Sequence, residues 1–164
     1  MKHLGAELVS LEPGGAVMRV PFRGELTQQH GYFHAGVTGA IADSACGYAA
    51  YTLMAAEDSV LTVEYKINLL APADGDELEA RARVVRSGKT LKICMADVFV
   101  RKGAAENHCA TVLATIMCMA GKADRGGSGG GTEKRSRLIG LHPGKLERNE
   151  LRPYKERQDG PAGP

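Results

Sequence analysis

Residues 35–56, AGVTGAIADSACGYAAYTLMAA, run for 22 positions with a single charge, Asp43. The stretch contains no proline, and strands are rarely so long. Alanine, the best helix former, is its commonest residue. The composition predicts one helix over about residues 35–55. Stepping from Asp43 by three or four residues places Gly36, Gly39, Ala40, Cys46, Gly47 and Ala50 on its face. Val37, Ile41, Tyr48 and Tyr51 flank that face and suit packing on a sheet. Interior glycines cost about 1 kcal/mol each against alanine in an exposed helix. Gly36, Gly39 and Gly47 therefore imply a close neighbour, either another backbone or a ligand. A helix this apolar must be covered, because a solvent-facing helix shows a polar stripe. A membrane span is opposed by the central Asp43, since a carboxylate there costs about 2.5–3.5 kcal/mol on insertion scales. The carboxylate is either a structural group satisfied by its neighbours or a chemical one, and a small face used as a packing seam is compatible with both.

After the helix the pattern changes period. Residues 60–70, VLTVEYKINLL, read as a strand, and residues 78–86, LEARARVVR, alternate with period two. Ser87-Gly88 marks a hairpin turn into residues 90–101, and residues 102–106 turn the chain into a last strand over residues 109–119. Before the helix, residues 8–22 form two short strands around Glu12-Pro13-Gly14-Gly15, followed by a loop over residues 23–33. Short strands, one long helix and four antiparallel strands define an α+β class. The simplest arrangement is a curved antiparallel sheet wrapped around the helix.

Hydrophobic residues make up 43% of the 164, enough for one ordinary domain, expected over residues 1–122. Residues 123–164 have a different composition. They open with the tract Gly126-Gly127-Ser128-Gly129-Gly130-Gly131, and their aliphatic residues are Leu138, Ile139, Leu141, Leu146 and Leu151. So little apolar area does not offset the entropy of ordering a chain, which predicts a flexible, basic tail. A net charge of +2 favours no nucleic-acid partner, and the tail's scattered basic residues suit solubility. Cys46, Cys94, Cys109 and Cys118 form no CxxC pair, so no metal centre is expected and the thiols read as small buried groups. The opening MKHLGAELVSLEPGG lacks the apolar run of a secretory signal. Together with reduced cysteines, this predicts a cytoplasmic location and no membrane partner.

Gln28, Gly31 and His34-Ala35-Gly36, followed by Asp43-Ser44-Ala45 and Gly47, resemble the hotdog-fold acyl-CoA thioesterases of the PaaI-like, phenylacetate-degradation type. Those proteins carry Asn or Gln, then Gly, then His-Gly-Gly leading into the central helix, with an acidic residue one and a half to two turns on. The similarity covers about residues 4–119. It includes Leu61-Thr62-Val63-Glu64-Tyr65-Lys66-Ile67-Asn68, the turn with Pro72 and Gly75, and Val85-Arg86-Ser87-Gly88-Lys89-Thr90. The tail has no counterpart.

The resemblance implies roles residue by residue. Asp43 matches the helix carboxylate, the general base or nucleophile. Gln28 matches the side chain that binds the thioester or the attacking water. Ala35 supplies the backbone N–H that polarises the carbonyl, and Thr62 falls where some members keep Ser or Thr near the water. Ala35 replaces the first glycine of His-Gly-Gly, and its donor survives the methyl group if φ is negative there. His34 and Gly36 fall on the substrate-binding side. His34 is expected to hold the loop or cap the helix, because no Gly-x-Ser-x-Gly elbow offers it a nucleophile. Arg86 and Lys89, with Lys92, flank a hairpin that suits the phosphates of coenzyme A and equally suits an ordinary solvated turn. Tyr32, Phe33 and Tyr48 are candidate linings of the acyl pocket.

A helix N-terminus offers unpaired N–H groups and a positive dipole end to an oxyanion. Asp43 lies eight residues beyond Ala35, about 12 Å along the axis, too far for both to reach one thioester carbon. A second protomer crossing at the small face supplies the missing group. The expectation is a homodimer or homotetramer hydrolysing acyl-CoA, with no metal or cofactor. The alternatives are a non-catalytic acyl-CoA-binding regulator and a hydratase or dehydratase on the same fold.

Overall fold

The computed structural model describes residues 1–122; the tail expected over residues 123–164 lies outside the described residues. Strands β1 (Glu7–Glu12) and β2 (Gly15–Pro21) precede helix α1 (Ala35–Tyr51). Strands β3 (Ser59–Leu69), β4 (Glu77–Ser87), β5 (Leu91–Lys102) and β6 (Ala105–Met119) follow it. They form one antiparallel sheet in the order β1-β2-β4-β5-β6-β3. The sheet curves around α1, which touches all six strands. No helix among the described residues is long and apolar enough to cross a membrane.

Alternation accounts for the inner face. Lys92, Cys94, Ala96, Val98 and Val100 of β5 are buried, and the residues between them are more open. Leu78, Ala80 and Ala82 of β4 and Val112, Ala114 and Ile116 of β6 join them in the core. The helix contributes Val37, Ile41, Ala42, Ala45, Cys46, Ala49 and Ala50, mostly small side chains that let the sheet approach closely.

Three features depart from the sequence reading. The helix ends at Tyr51, short of residue 55. Thr52 Oγ1 donates to Ala49 O and accepts from Gly14 N, each at 2.7 Å, so the β1–β2 turn ties down the helix end. Strand β6 begins at Ala105 rather than 109, because Gly103, at φ +58, opens a two-residue hairpin turn. Finally, the small face is divided. Cys46 and Ala50 are fully buried against the sheet, whereas Ala40, Asp43, Ser44 and Gly47 are partly open and Gly36 and Tyr48 are exposed. The sheet covers one side of the helix, and a strip through Asp43 stays uncovered.

On the outer face Glu79 of β4 is 4% exposed, with Arg19 Nη2 at 2.8 Å and Arg81 Nη2 at 2.7 Å. Burial alone would raise the Glu79 carboxyl, but the hydrogen bonds from Arg19 and Arg81 and the nearby Arg101 outweigh it and hold the group below its usual value. A carboxylate depressed in the folded state stabilises above its unfolded pKa, and that stability is lost as pH falls through the folded value. Glu79→Gln should therefore cost roughly 1–3 kcal/mol at pH 7, since the arginines are partly solvated. In thermal melts the gap from wild type should close as pH drops below about 4.

Candidate active site

The loop before α1 is fixed by its own backbone. Gln28 N donates to Tyr32 O and Gly31 N to Gln28 O, both at 2.9 Å, and Gly31 takes φ +82, where a side chain would be strained. Gln28 Oε1 accepts from His30 N, which leaves the amide NH₂ as a donor without a partner among the described residues. His34 is extended and caps α1, its Nδ1 accepting from Gly36 N at 2.9 Å. Its ring is thereby committed to the helix end. Ala35 N–H has no hydrogen-bond partner among the described residues. Among the described residues no non-glycine residue has positive φ, so the methyl group of Ala35 leaves its N–H able to donate.

Gln28 and Ala35 line one cavity of about 160 Å³ with Tyr32, Phe33, Thr38, Leu69, the loop Ala71-Pro72-Ala73 and Cys109. The Cys109 thiol donates to Val98 O at 3.3 Å, and burial pushes it up to about 11, so it stays protonated at neutral pH. Burial, with smaller contributions from Cys94 and Asp43, also raises the Cys46 thiol far above its ordinary value. Unlike the other three thiols, which are buried as expected, Cys118 is only partly buried; it donates to Asp58 Oδ2 at 3.3 Å.

Asp43 stands two turns further along α1, partly exposed on the open strip. Thr62 Oγ1 donates to Asp43 Oδ1 at 2.8 Å, leaving Oδ2 without a partner among the described residues. A bulge in β3 creates this contact. Thr62 pairs with the buried Ile116, the register shifts between Thr62 and Glu64, and Tyr65 then pairs with the buried Ala114. Thr62 and Tyr65 thus both face the helix, although strict alternation would put residues three apart on opposite faces. Tyr65 lies over the helix at Gly39, where an added Cβ would sit 3.3 Å from its Oη. That glycine makes room for a side chain of its own chain.

The structure therefore brings Gln28 to Ala35, and Thr62 to Asp43, as two separate pairs. It does not bring Arg86 or Lys89 to the cavity. Both are exposed at the β4–β5 hairpin. That hairpin lies near the Leu91–Met117 rung, whereas cavity residue Leu69 pairs with Ala110, seven residues back along β6 and roughly 24 Å away. Lys92 is withdrawn from any phosphate role because it is 4% exposed and its Nζ lies 3.3 Å from Gly88 O. Of the aromatic candidates, Tyr32 and Phe33 line the cavity, while Tyr48 is 38% exposed on the open strip. Sequence reasoning had singled out neither Cys109, Leu69 and Thr38 nor Tyr65. Their only signal was strand or helix position, and that signal depends on the register of β3 and β6.

A six-stranded antiparallel sheet curved around one helix, with a cavity at the helix start and a carboxylate two turns on, is the hotdog architecture of thioesterases. The thioesterase superfamily profile matches residues 30–106. A crystal structure of a thioesterase family protein from Silicibacter pomeroyi is 44% identical, covering 73% of this chain and 88% of that one, with a TM-score of 0.72. A Saccharolobus solfataricus protein named as an esterase is 36% identical over 90 residues, 55% of this chain and 64% of that protein's own length. A 1,4-dihydroxy-2-naphthoyl-CoA hydrolase of Listeria monocytogenes is 29% identical over 90 residues, 55% of this chain and 73% of that enzyme. The chain belongs to the thioesterase superfamily.

Proposed function

We propose that the chain is an acyl-CoA thioesterase whose site is completed by a second copy. The observation that carries this reading is the pair Asp43–Thr62. A carboxylate with one oxygen held by a hydroxyl and the other free is suited to take a proton from water. Gln28 and the Ala35 N–H hold the thioester end of the cavity in this reading. The Ala35 N–H and the helix start stabilise the oxyanion as the water oxygen bonds to the carbonyl carbon. Asp43 receives the proton. Collapse of the tetrahedral centre breaks the carbon–sulfur bond, and the proton passes to the departing coenzyme A sulfur. The named substrate of the Listeria relative is also a CoA thioester.

Two open surfaces suit a partner copy. β3 is an edge strand with unpaired backbone groups, and Leu61, Val63, Tyr65 and Leu69 along it are each about half exposed. The adjacent strip of α1 is lined by Ala40, Asp43 and Gly47. Pairing two copies along β3 would bring the Asp43 of one toward the cavity of the other. Arg86 and Lys89, remote from the cavity of their own chain, would then meet the coenzyme A phosphates of the neighbour. Replacing both with alanine should raise KM several-fold with kcat little changed, the pattern of lost uniform binding; an unchanged KM removes them from the site.

The experiment is thiol release from a panel of acyl-CoAs, which separates hydrolysis from mere binding and from hydration. Subunit mixing then tests the shared site. Asp43→Asn and Gln28→Ala chains, each inactive alone, should regain about a quarter of wild-type activity after co-refolding in equal amounts, because about half of the dimers are mixed and one of the two sites in each is intact. No recovery would place the whole site within one chain.

A further inference from the structure

Thr38 is a buried polar side chain that the chemistry above leaves unused. It stands on the first turn of α1, three residues past Ala35, and only 2% of it is exposed. It lines the same cavity as Gln28 and Ala35. A helical threonine can return its hydroxyl to a carbonyl three or four residues back, as Thr52 does to Ala49 O at 2.7 Å. The Thr38 hydroxyl has no such bond and no other partner among the described residues. Nor is it sealed off. Among the described residues, the enclosed side-chain polar atom without a hydrogen bond is Arg19 Nε, which sits in an ion pair 2.9 Å from Glu77. Thr38 therefore lines the cavity with a hydroxyl that has no partner among the described residues. Around it the wall is Phe33, Leu69, Ala73 and Cys109, and the thiol of Cys109 is already spent on Val98 O. Its hydroxyl adds an unused hydrogen-bonding group to a lining whose other polar side chains, apart from the thiol, are Gln28 and Tyr32.

We infer that Thr38 sets acyl selectivity, its hydroxyl pairing with an oxygen carried by the acyl group about three bonds beyond the thioester carbonyl carbon. The inference rests on the thioesterase reading, in which the Ala35 N–H marks the carbonyl end. Thr38 lies three residues on, about 4.5 Å along the helix axis, within reach of a β-hydroxyl, β-keto or ortho-hydroxyl oxygen. The acyl group is small, since an apolar cavity of about 150 Å³ admits one benzene ring. An acyl oxygen entering a wholly apolar wall would lose its water without return. With Thr38 it keeps a partner, and the threonine gains one.

The test uses matched pairs differing by one oxygen: butanoyl-CoA against 3-hydroxybutanoyl-CoA, and benzoyl-CoA against 2-hydroxybenzoyl-CoA. Thiol release gives kcat and KM for wild type, Thr38→Val and Thr38→Ser. Wild type should favour the oxygenated member of at least one pair. The ratio of kcat/KM values should fall about tenfold in Thr38→Val and return in Thr38→Ser. Should the valine variant fail to fold, Thr38→Ala removes the same hydroxyl. A ratio equal in wild type and the hydroxyl-free variant for both pairs overturns the role of Thr38 while leaving the thioesterase reading intact. Wild type releasing thiol from no acyl-CoA in these pairs or a broader panel overturns both.

Discussion

Asp43→Asn should leave a folded protein that releases thiol from acyl-CoA about a hundredfold or more slowly than wild type. The substitution keeps the shape of the side chain, and its amide oxygen can still accept from Thr62 Oγ1, so the 2.8 Å contact survives. What is lost is the group that accepts a proton from water. Circular dichroism and sedimentation should match wild type, which separates lost chemistry from lost assembly. KM should change little, since the cavity residues Gln28 and Ala35 are untouched. A variant turning over near the wild-type rate would remove Asp43 from the reaction and leave it as a structural acid bonded to Thr62.

Gly47→Arg should abolish activity and self-association together. Gly47 lies one turn past Asp43 on the open strip, and among the described residues of its own chain an added Cβ meets Val60 Cγ2 alone, at 4.0 Å. Arginine is also the better helix former by up to about 1 kcal/mol. In an isolated chain the change would therefore be neutral or stabilising. A large loss can only report a neighbour packed on that strip, where a long charged side chain would be overpacked and desolvated. Gly39 is the poorer probe, because a side chain there would strike Tyr65 of the same chain. Sedimentation velocity run beside the thiol assay decides the matter, and an active Gly47→Arg monomer would refute the shared site.

The helix was legible in the sequence because composition and length leave few alternatives. β4 was legible because LEARARVVR alternates apolar and charged residues, and β5 and β6 because turn residues at 87–88 and 102–106 bound them. The helix end was not, since it depends on Thr52 meeting Gly14, a partner 38 residues away in the chain. The small face was only half legible. Helical spacing groups Cys46 and Ala50 with Asp43, but the sheet's position decides which small residues are buried, and spacing carries no information on that. His34 as a cap was visible from its place before Ala35. The partner of Asp43 was not, because the direction of Thr62 depends on a bulge that leaves no compositional mark. The separation of Arg86 and Lys89 from the cavity is likewise a matter of register.

That bulge divides β3 into two halves with opposite phase. Thr62 lies before it, and Tyr65 and the cavity residue Leu69 lie after it. Were the bulge straightened with every residue kept, the strand would return to simple alternation, which sets residues an odd number apart on opposite faces. To keep Thr62 on Asp43, Tyr65 and Leu69 would have to face away from the helix; to keep the cavity wall, the carboxylate would lose its hydroxyl. The acid and the acyl wall are thus geared through a single extra residue. Away from the bulge, single insertions and deletions between Thr62 and Leu69 should be far less tolerated than substitutions of the same side chains, and lineages of this fold can retune the pocket by point changes without disturbing the meshing.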